Sequence, residues 1–92
     1  MGLILPNRHP LVMPHKSVLA GEKRLKAVGV ALRECRKENG LSQEALAVDA
    51  SVERSCLGAI ERGEVNVTLL VIARLCGALN IKPSELLARA RL

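Results

Sequence analysis

The fold of this 92-residue chain is decided by residues 41–63, LSQEALAVDASVERSCLGAIERG. Ser42 is suited to cap a first short helix, because a serine hydroxyl accepts hydrogen bonds from the free amides of a helix start. Apolar residues three apart give a second helix, over residues 53–62, one inward face. Gly63 is suited to end it, because glycine adopts the left-handed conformation readily. The segment therefore predicts two short helices joined by a tight turn at residues 50–52.

The apolar pattern predicts three further helices around this pair. One apolar stripe runs along a helix over residues 22–39. A fourth helix follows a cap at Thr68 and is apolar nearly all round, with an inward stripe that includes Leu69 and Ala73 and a second stripe beside it. A fifth helix begins near Pro83 and continues to the last residue. The predicted fold class is a compact, all-α, five-helix domain over residues 22–92.

Residues 1–21 have a different character, because three prolines punctuate two apolar triplets. Proline restricts its own backbone and that of the residue before it, so a helix is not expected there. The segment is either a loose tail or an extended N-terminal arm that packs on the domain or on a second subunit. The apolar surplus of the fourth and fifth helices, together with such an arm, offers material for a homodimer interface.

Composition excludes several classes of protein. The chain has no Phe, Tyr or Trp, so its core must be aliphatic and it has no aromatic platform for single-stranded nucleic acid. Its net charge of +5 suits a polyanionic partner without requiring one. Three widely spaced cysteines and two histidines, both in the N-terminal segment, predict no metal site, no cofactor and no disulfide framework. Cys35 and Cys76 fall on apolar stripes and are expected to be buried.

Neither catalysis nor a membrane location is expected. No nucleophile, acid–base pair or metal site is assembled by the pattern, so we predict that the protein is not an enzyme. No apolar run is long enough to span a membrane, and the start lacks the pattern of a signal peptide. The expected location is the cytoplasm.

Residues 41–63 and their flanks resemble the Cro and phage-repressor family of helix-turn-helix proteins, also called XRE-like. Three motifs carry the resemblance: R-x-x-x-G-L-S-Q-E-x-L-A from Arg36, V-x-R-S from Val52, and I-E-R-G-x-x-N from Ile60. The similarity extends over about residues 25–87. It implies a repressor-type domain that binds double-stranded DNA, like the small single-domain repressors and restriction-modification controllers.

In that architecture the second helix of the pair lies in the major groove, and its first residues meet base edges. Arg54 is the main candidate for base recognition, because a guanidinium donates two bonds to guanine; the alternative is a solvated or phosphate-bound side chain. Ser55 bonds a base, a phosphate or its own helix. Glu53 is expected to cap the helix rather than accept from cytosine. Ala59, expected on the exposed face, either touches a thymine methyl group or is inert.

The resemblance also implies contacts with the DNA backbone. Ser42 and Gln43 begin the first helix of the pair, where free amides and the helix dipole suit a phosphate, and Gln43 matches the family's phosphate-clamping glutamine. Arg62 and Asn66, just after the recognition helix, match backbone contacts that position the protein without reading sequence.

The resemblance further implies a structural ion pair. Arg36 and Glu61 are expected to form a partly buried salt bridge that orients the recognition helix. Two residues depart from the family pattern: Ser51 stands where the turn often has glycine, and Gly58 stands where the recognition helix often has a polar residue. These departures leave a small base-reading surface, which dimerisation would double.

The leading hypothesis is a sequence-specific regulator of transcription, a repressor or controller, that binds duplex DNA as a homodimer through its fourth and fifth helices. One alternative is an antitoxin that binds a protein partner through the apolar arm and represses its own operon. Another is an interaction domain that has lost DNA binding.

Overall fold

A computed structural model describes residues 21–92, and five helices account for most of them. In chain order the helices are α1 (Lys23–Glu38), α2 (Gln43–Ala50), α3 (Arg54–Glu61), α4 (Leu69–Leu79) and α5 (Pro83–Arg89). The predicted five-helix, all-α class is therefore confirmed. The arm expected over residues 1–21 lies outside the described residues except for Gly21, whose N–H donates to the Gly63 carbonyl at 2.9 Å.

Local sequence signals set the helix ends. The Ser42 hydroxyl accepts from the Ala45 N–H at 3.0 Å, and the Thr68 hydroxyl accepts from the Val71 N–H at 3.2 Å. Both helices therefore begin at the residues expected to cap them. The turn between α2 and α3 has the predicted length of three residues but lies one residue later, over residues 51–53, because Ala50 still belongs to α2. Ser51 then takes the left-handed conformation at φ 55°, in the position where the family often has glycine.

The core is aliphatic and closed by all five helices. α1 packs against α3 and α5, α2 packs against α3 and α4, and α4 packs against α5. The largest fully buried side chains are Leu32, Leu46, Leu57, Ile60, Leu75 and Leu86. Cys35 and Cys76 are buried as expected, and Cys56 is also buried. Burial raises the pKa of the Cys76 thiol to about 11.

A glycine brings α1 into direct backbone contact with the recognition helix. A Cβ at Gly29 would lie 2.5 Å from the Ile60 carbonyl oxygen and 2.6 Å from that of Glu61. No side chain fits there, so the close crossing of α1 and α3 requires glycine at position 29. Any other residue would push the two helices apart. Glycine in a helix interior ordinarily only lowers the helix propensity, and nothing in the neighbouring sequence indicates this close approach to a distant element.

Two expectations about the later helices are wrong. Leu69 and Ala73 do not face inward: Leu69 is 75% exposed and Ala73 is exposed. A helix that is apolar nearly all round does not reveal from its sequence which side is buried. α5 ends at Arg89 instead of continuing to the last residue, and Arg91 adopts a left-handed φ of 64°.

Candidate DNA-binding surface

The ends of two helices meet at the centre of the candidate surface. The N-terminus of α2 lies beside the N-terminal part of α3, and a shallow depression forms between them. It is lined by Arg36, Ser42, Gln43, Glu44 and Arg54. The structure thus brings together the residues expected to bind phosphate and the residue expected to read a base.

A buried ion pair fixes the other end of α3. Arg36 Nε donates to Glu61 Oε2 at 2.7 Å, and Arg36 Nη2 donates to Glu61 Oε1 at 3.0 Å. Both side chains are less than a tenth exposed. The guanidinium also donates to the Leu41 carbonyl at 2.9 Å. The hydrogen bonds from Arg36 to Glu61 raise the pKa of the guanidinium. The pair expected from the family resemblance is thus present, and it ties α1 to the last residue of α3.

Gln43 connects this ion pair to the candidate base-reading residue. Its Nε2 donates to Glu61 Oε1 at 3.0 Å, while its Oε1 accepts from Arg54 Nη1 at 3.3 Å. An amide of this kind has two N–H donors, so one remains for another acceptor. A continuous chain of hydrogen bonds therefore runs from Arg36 through Glu61 and Gln43 to Arg54.

The start of α3 differs from the expectation for Glu53. Its backbone occupies the N-cap position, but its side chain makes no capping hydrogen bond. The carboxylate instead accepts from the Ser55 hydroxyl at 2.6 Å, so the predicted side-chain cap is wrong. The Glu53 carboxylate therefore binds the Ser55 hydroxyl instead of the backbone amides at the start of α3. Of the alternatives for Ser55, the bond within its own helix is the one formed here. Glu53, Arg54 and Ser55 are all exposed.

The middle and end of α3 are more enclosed than expected. Ala59 is half-buried and packs against the core, so its predicted place on the exposed face is only partly right. Gly58 is buried, and a Cβ there would lie 3.1 Å from Arg62 Nη1 and 3.7 Å from Gln43 Oε1. Gly58 therefore leaves room for the Arg62 guanidinium, a role that no pattern along the chain indicates. Arg62 is exposed and pairs with Glu64 at 3.1 Å.

The last of the predicted contact residues lies outside the helix pair. Asn66 lies exposed in the loop between α3 and α4. Within residues 21–92, no group of three or more His, Cys, Asp or Glu side chains is placed to hold a metal ion. No helix in the same range is long and apolar enough to cross a membrane.

A short helix pair with an exposed N-terminal end on the second helix defines the helix-turn-helix class of DNA-binding regulators. A family model described as helix-turn-helix matches residues 32–86, and the chain belongs to this family. The control protein C.SmaI of Serratia marcescens is 43% identical over 58 residues, which are 63% of this chain and 69% of that protein.

Two solved structures are each similar to about two thirds of the chain. The restriction-modification controller protein C.AhdI of Aeromonas hydrophila superposes with a TM-score of 0.66 at 48% identity, covering 67% of this chain and 94% of that one. The regulator of biofilm formation SinR, crystallised with DNA, superposes with a TM-score of 0.63 at 31% identity, covering 65% of this chain and 97% of that one.

Proposed function

We propose that this protein is a transcriptional controller that binds a specific duplex DNA sequence as a homodimer, with α3 in the major groove. One observation carries the proposal: the N-terminal end of α3 exposes Arg54 and Ser55, while its C-terminal end is fixed by the Arg36–Glu61 pair. An exposed reading residue on a rigidly held helix is what sequence discrimination requires. The similarity to C.SmaI and C.AhdI supports the role of controller, and a controller of transcription would act in the cytoplasm.

Arg54 is the proposed base-reading residue. Its one contact with Gln43, at 3.3 Å, is long and exposed, so little is lost when the guanidinium turns to a guanine. A bidentate contact of this kind discriminates by about 1–3 kcal/mol. Glu53 holds Ser55 beside it, and Ala59 is left with only part of its surface for contact. The specific contacts of one subunit are therefore few.

Backbone contacts are proposed at both ends of the recognition helix. Ser42 and the remaining N–H of Gln43 lie at the N-terminus of α2, where the helix dipole favours an anion. Arg62 and Asn66 are exposed at the other end of α3. The net charge of +5 also favours the binding of a polyanion such as DNA.

A homodimer would supply the second half of the contacts. The outer face of α4 exposes Leu69 and Leu70, at 75% and 56%, and continues through Ala73 and Gly77. An apolar helix face of this kind favours a protein contact over water. Two copies of α3 would then read half-sites about 34 Å apart on a two-fold symmetric sequence.

The test is to select binding sequences from a random duplex library and measure two variants on the selected and a random duplex. Arg54→Ala should lose most of the preference for the selected sequence. Gln43→Ala should weaken binding to both duplexes, because it removes the proposed phosphate contact and the hydrogen bond to Arg54. Equal losses from Arg54→Ala on both duplexes would refute its role as the reading residue. Arg33→Ala, in an exposed arginine on α1, is the matched control.

A further inference from the structure

A second surface lies between α1 and the end of α5. The groove has a volume of about 440 Å³. Its lining residues are Lys23, Lys26, Ala27, Val30, Ala31 and Glu34 from α1 with Arg89, Ala90 and Arg91 from α5 and its C-terminal end. None of the residues proposed to touch DNA lines it. Lys26 packs closely against Gly63, where a Cβ would lie 2.7 Å from Lys26 Cγ, so one end of the groove adjoins the residue that follows Arg62.

The rim of the groove is positively charged. Four of its residues are basic and only Glu34 is acidic. Arg89 is paired with Glu38 outside the lining, at 2.8 Å. Lys23, Lys26 and Arg91 form no ion pair with any residue in the range 21–92. Within residues 21–92 the groove therefore has three unpaired cations against the one carboxylate of Glu34, a balance that attracts an acidic ligand.

The floor of the groove is apolar. Ala27, Val30 and Ala31 follow one another along α1, and Ala90, the residue after α5, lies opposite them. Val30 is 53% exposed, an unusual setting for a branched aliphatic side chain between cations. A phosphate backbone needs no apolar floor, whereas an amphipathic helix places apolar side chains in a groove and charged ones on its rim.

We propose that this groove is a docking site for an acidic amphipathic helix of a partner protein, separate from DNA binding. The N-terminal segment of the chain itself is a poor occupant by charge, because residues 1–20 contain Arg8 and Lys16 and no acidic residue. An acidic helix with leucines at helical spacing matches both the floor and the rim. Such a partner would reach the regulator while α3 occupies DNA.

The test uses the full 92-residue chain and a fluorescent synthetic helix of glutamate, alanine and leucine, with leucines at i, i+3, i+4 and i+7. A scrambled peptide of the same composition is the reference. Binding is followed by anisotropy, and amide shifts in the nitrogen-15 spectrum locate it. The expected result is saturable binding of the patterned peptide, with shifts centred on α1 residues 23–34 and the end of α5.

Two variants separate docking from general charge. Lys23→Glu combined with Arg91→Glu should weaken the binding of the patterned peptide by at least about tenfold, because attraction becomes repulsion at both positions. Val30→Ser should weaken it without a change in charge. The matched control for one charge reversal is Lys82→Glu, on an exposed residue at the other end of α5, which should have little effect.

The same variants distinguish a docking site from a DNA contact. If the cations serve a protein partner, duplex affinity should stay within about twofold for Val30→Ser, and the double reversal should weaken duplex binding no more, per reversed charge, than Lys82→Glu does. Equal binding of the patterned and scrambled peptides would overturn the proposal. So would unchanged peptide binding in the double reversal, or a loss of duplex affinity that exceeds the loss for the peptide, which would assign the cations to the DNA backbone.

Discussion

Gly29→Ala should destabilise the protein, although the same change in an ordinary helix interior stabilises it. In an open helical position, alanine is favoured over glycine by about 0.5–1 kcal/mol. At Gly29 the new Cβ would lie 2.5 Å from the Ile60 carbonyl oxygen and 2.6 Å from the Glu61 carbonyl oxygen. Carbon and oxygen normally approach to about 3.3 Å, so α1 and α3 would have to separate by roughly 0.8 Å. These carbonyl groups belong to the backbone of α3, so they cannot rotate away from the new Cβ as a flexible side chain could.

The cost follows from that separation. Overpacking of a tight core contact costs about 1–3 kcal/mol, and a backbone clash between helices belongs at the upper end. Subtracting the gain in helix propensity leaves a net loss of about 2 kcal/mol. For a domain of this size, that loss lowers Tm by about 8–16 °C. The displaced segment carries Glu61, so DNA affinity should also fall at temperatures where the variant is still folded.

Gly77→Ala is the matched control, because a Cβ there meets nothing within 4 Å. It should raise the free energy of unfolding by about 0.5–1 kcal/mol. Unfolding in urea is followed by circular dichroism at 222 nm, since the chain has no aromatic residue to report by fluorescence. Gly77 lies on the proposed dimer face, so the variants are compared at the lowest usable protein concentration. Stabilisation by both substitutions would refute the close contact of α1 with α3.

Three further predictions concern the ion pair, the thiols and the dimer. Arg36→Met should lower the free energy of unfolding by about 3–5 kcal/mol because Glu61 is left buried without its charge partner, and Arg36→Met with Glu61→Leu should lose less. Burial favours the neutral thiol and raises the pKa of Cys76 from 9.0 to about 11. The stability that depends on the neutral thiol is therefore complete below pH 9 and is lost as the pH rises towards 11. Urea titrations across that range should show a fall in the free energy of unfolding, and the fall should be smaller in Cys76→Ala. Leu69→Lys with Leu70→Lys should shift sedimentation towards the monomer and leave the helical spectrum unchanged.

Each of these has a result that contradicts it. A double variant of the ion pair that is less stable than Arg36→Met alone would show that the buried charge is not the main cost. Stability that is independent of pH between 9 and 11 would contradict the assignment of a buried neutral thiol. Unchanged sedimentation of the α4 double variant would move the proposed dimer interface away from the outer face of α4.

The sequence predicts those features that depend on neighbours along the chain. The Ser42 and Thr68 caps and the left-handed Gly63 depend on local backbone chemistry, and each is found where it was expected. The order and number of helices follow from the same signals. The candidate site was predicted through family resemblance more than through physics, because no pattern along the chain shows that Arg36 and Glu61 are in contact.

Features that depend on distant elements were not predictable. The role of Gly29 requires α3 to lie across α1, and the role of Gly58 requires the Arg62 side chain to fold back over its own helix. The bridge from Gln43 to both Glu61 and Arg54 joins residues up to 18 positions apart. Because α4 has apolar residues on nearly every side, its sequence does not show which face is buried, and the prediction that Leu69 faces inward is wrong.

Sequence-specific duplex binding through α3 is the central claim, and it is tested most directly on the DNA upstream of the protein's own gene. Anisotropy titrations compare this fragment with random duplex of equal length at two salt concentrations. The account predicts tighter binding to the upstream fragment, with the preference retained as salt rises, because base contacts depend on salt less than phosphate contacts do. Equal affinity for both duplexes, falling together steeply with salt, would contradict it.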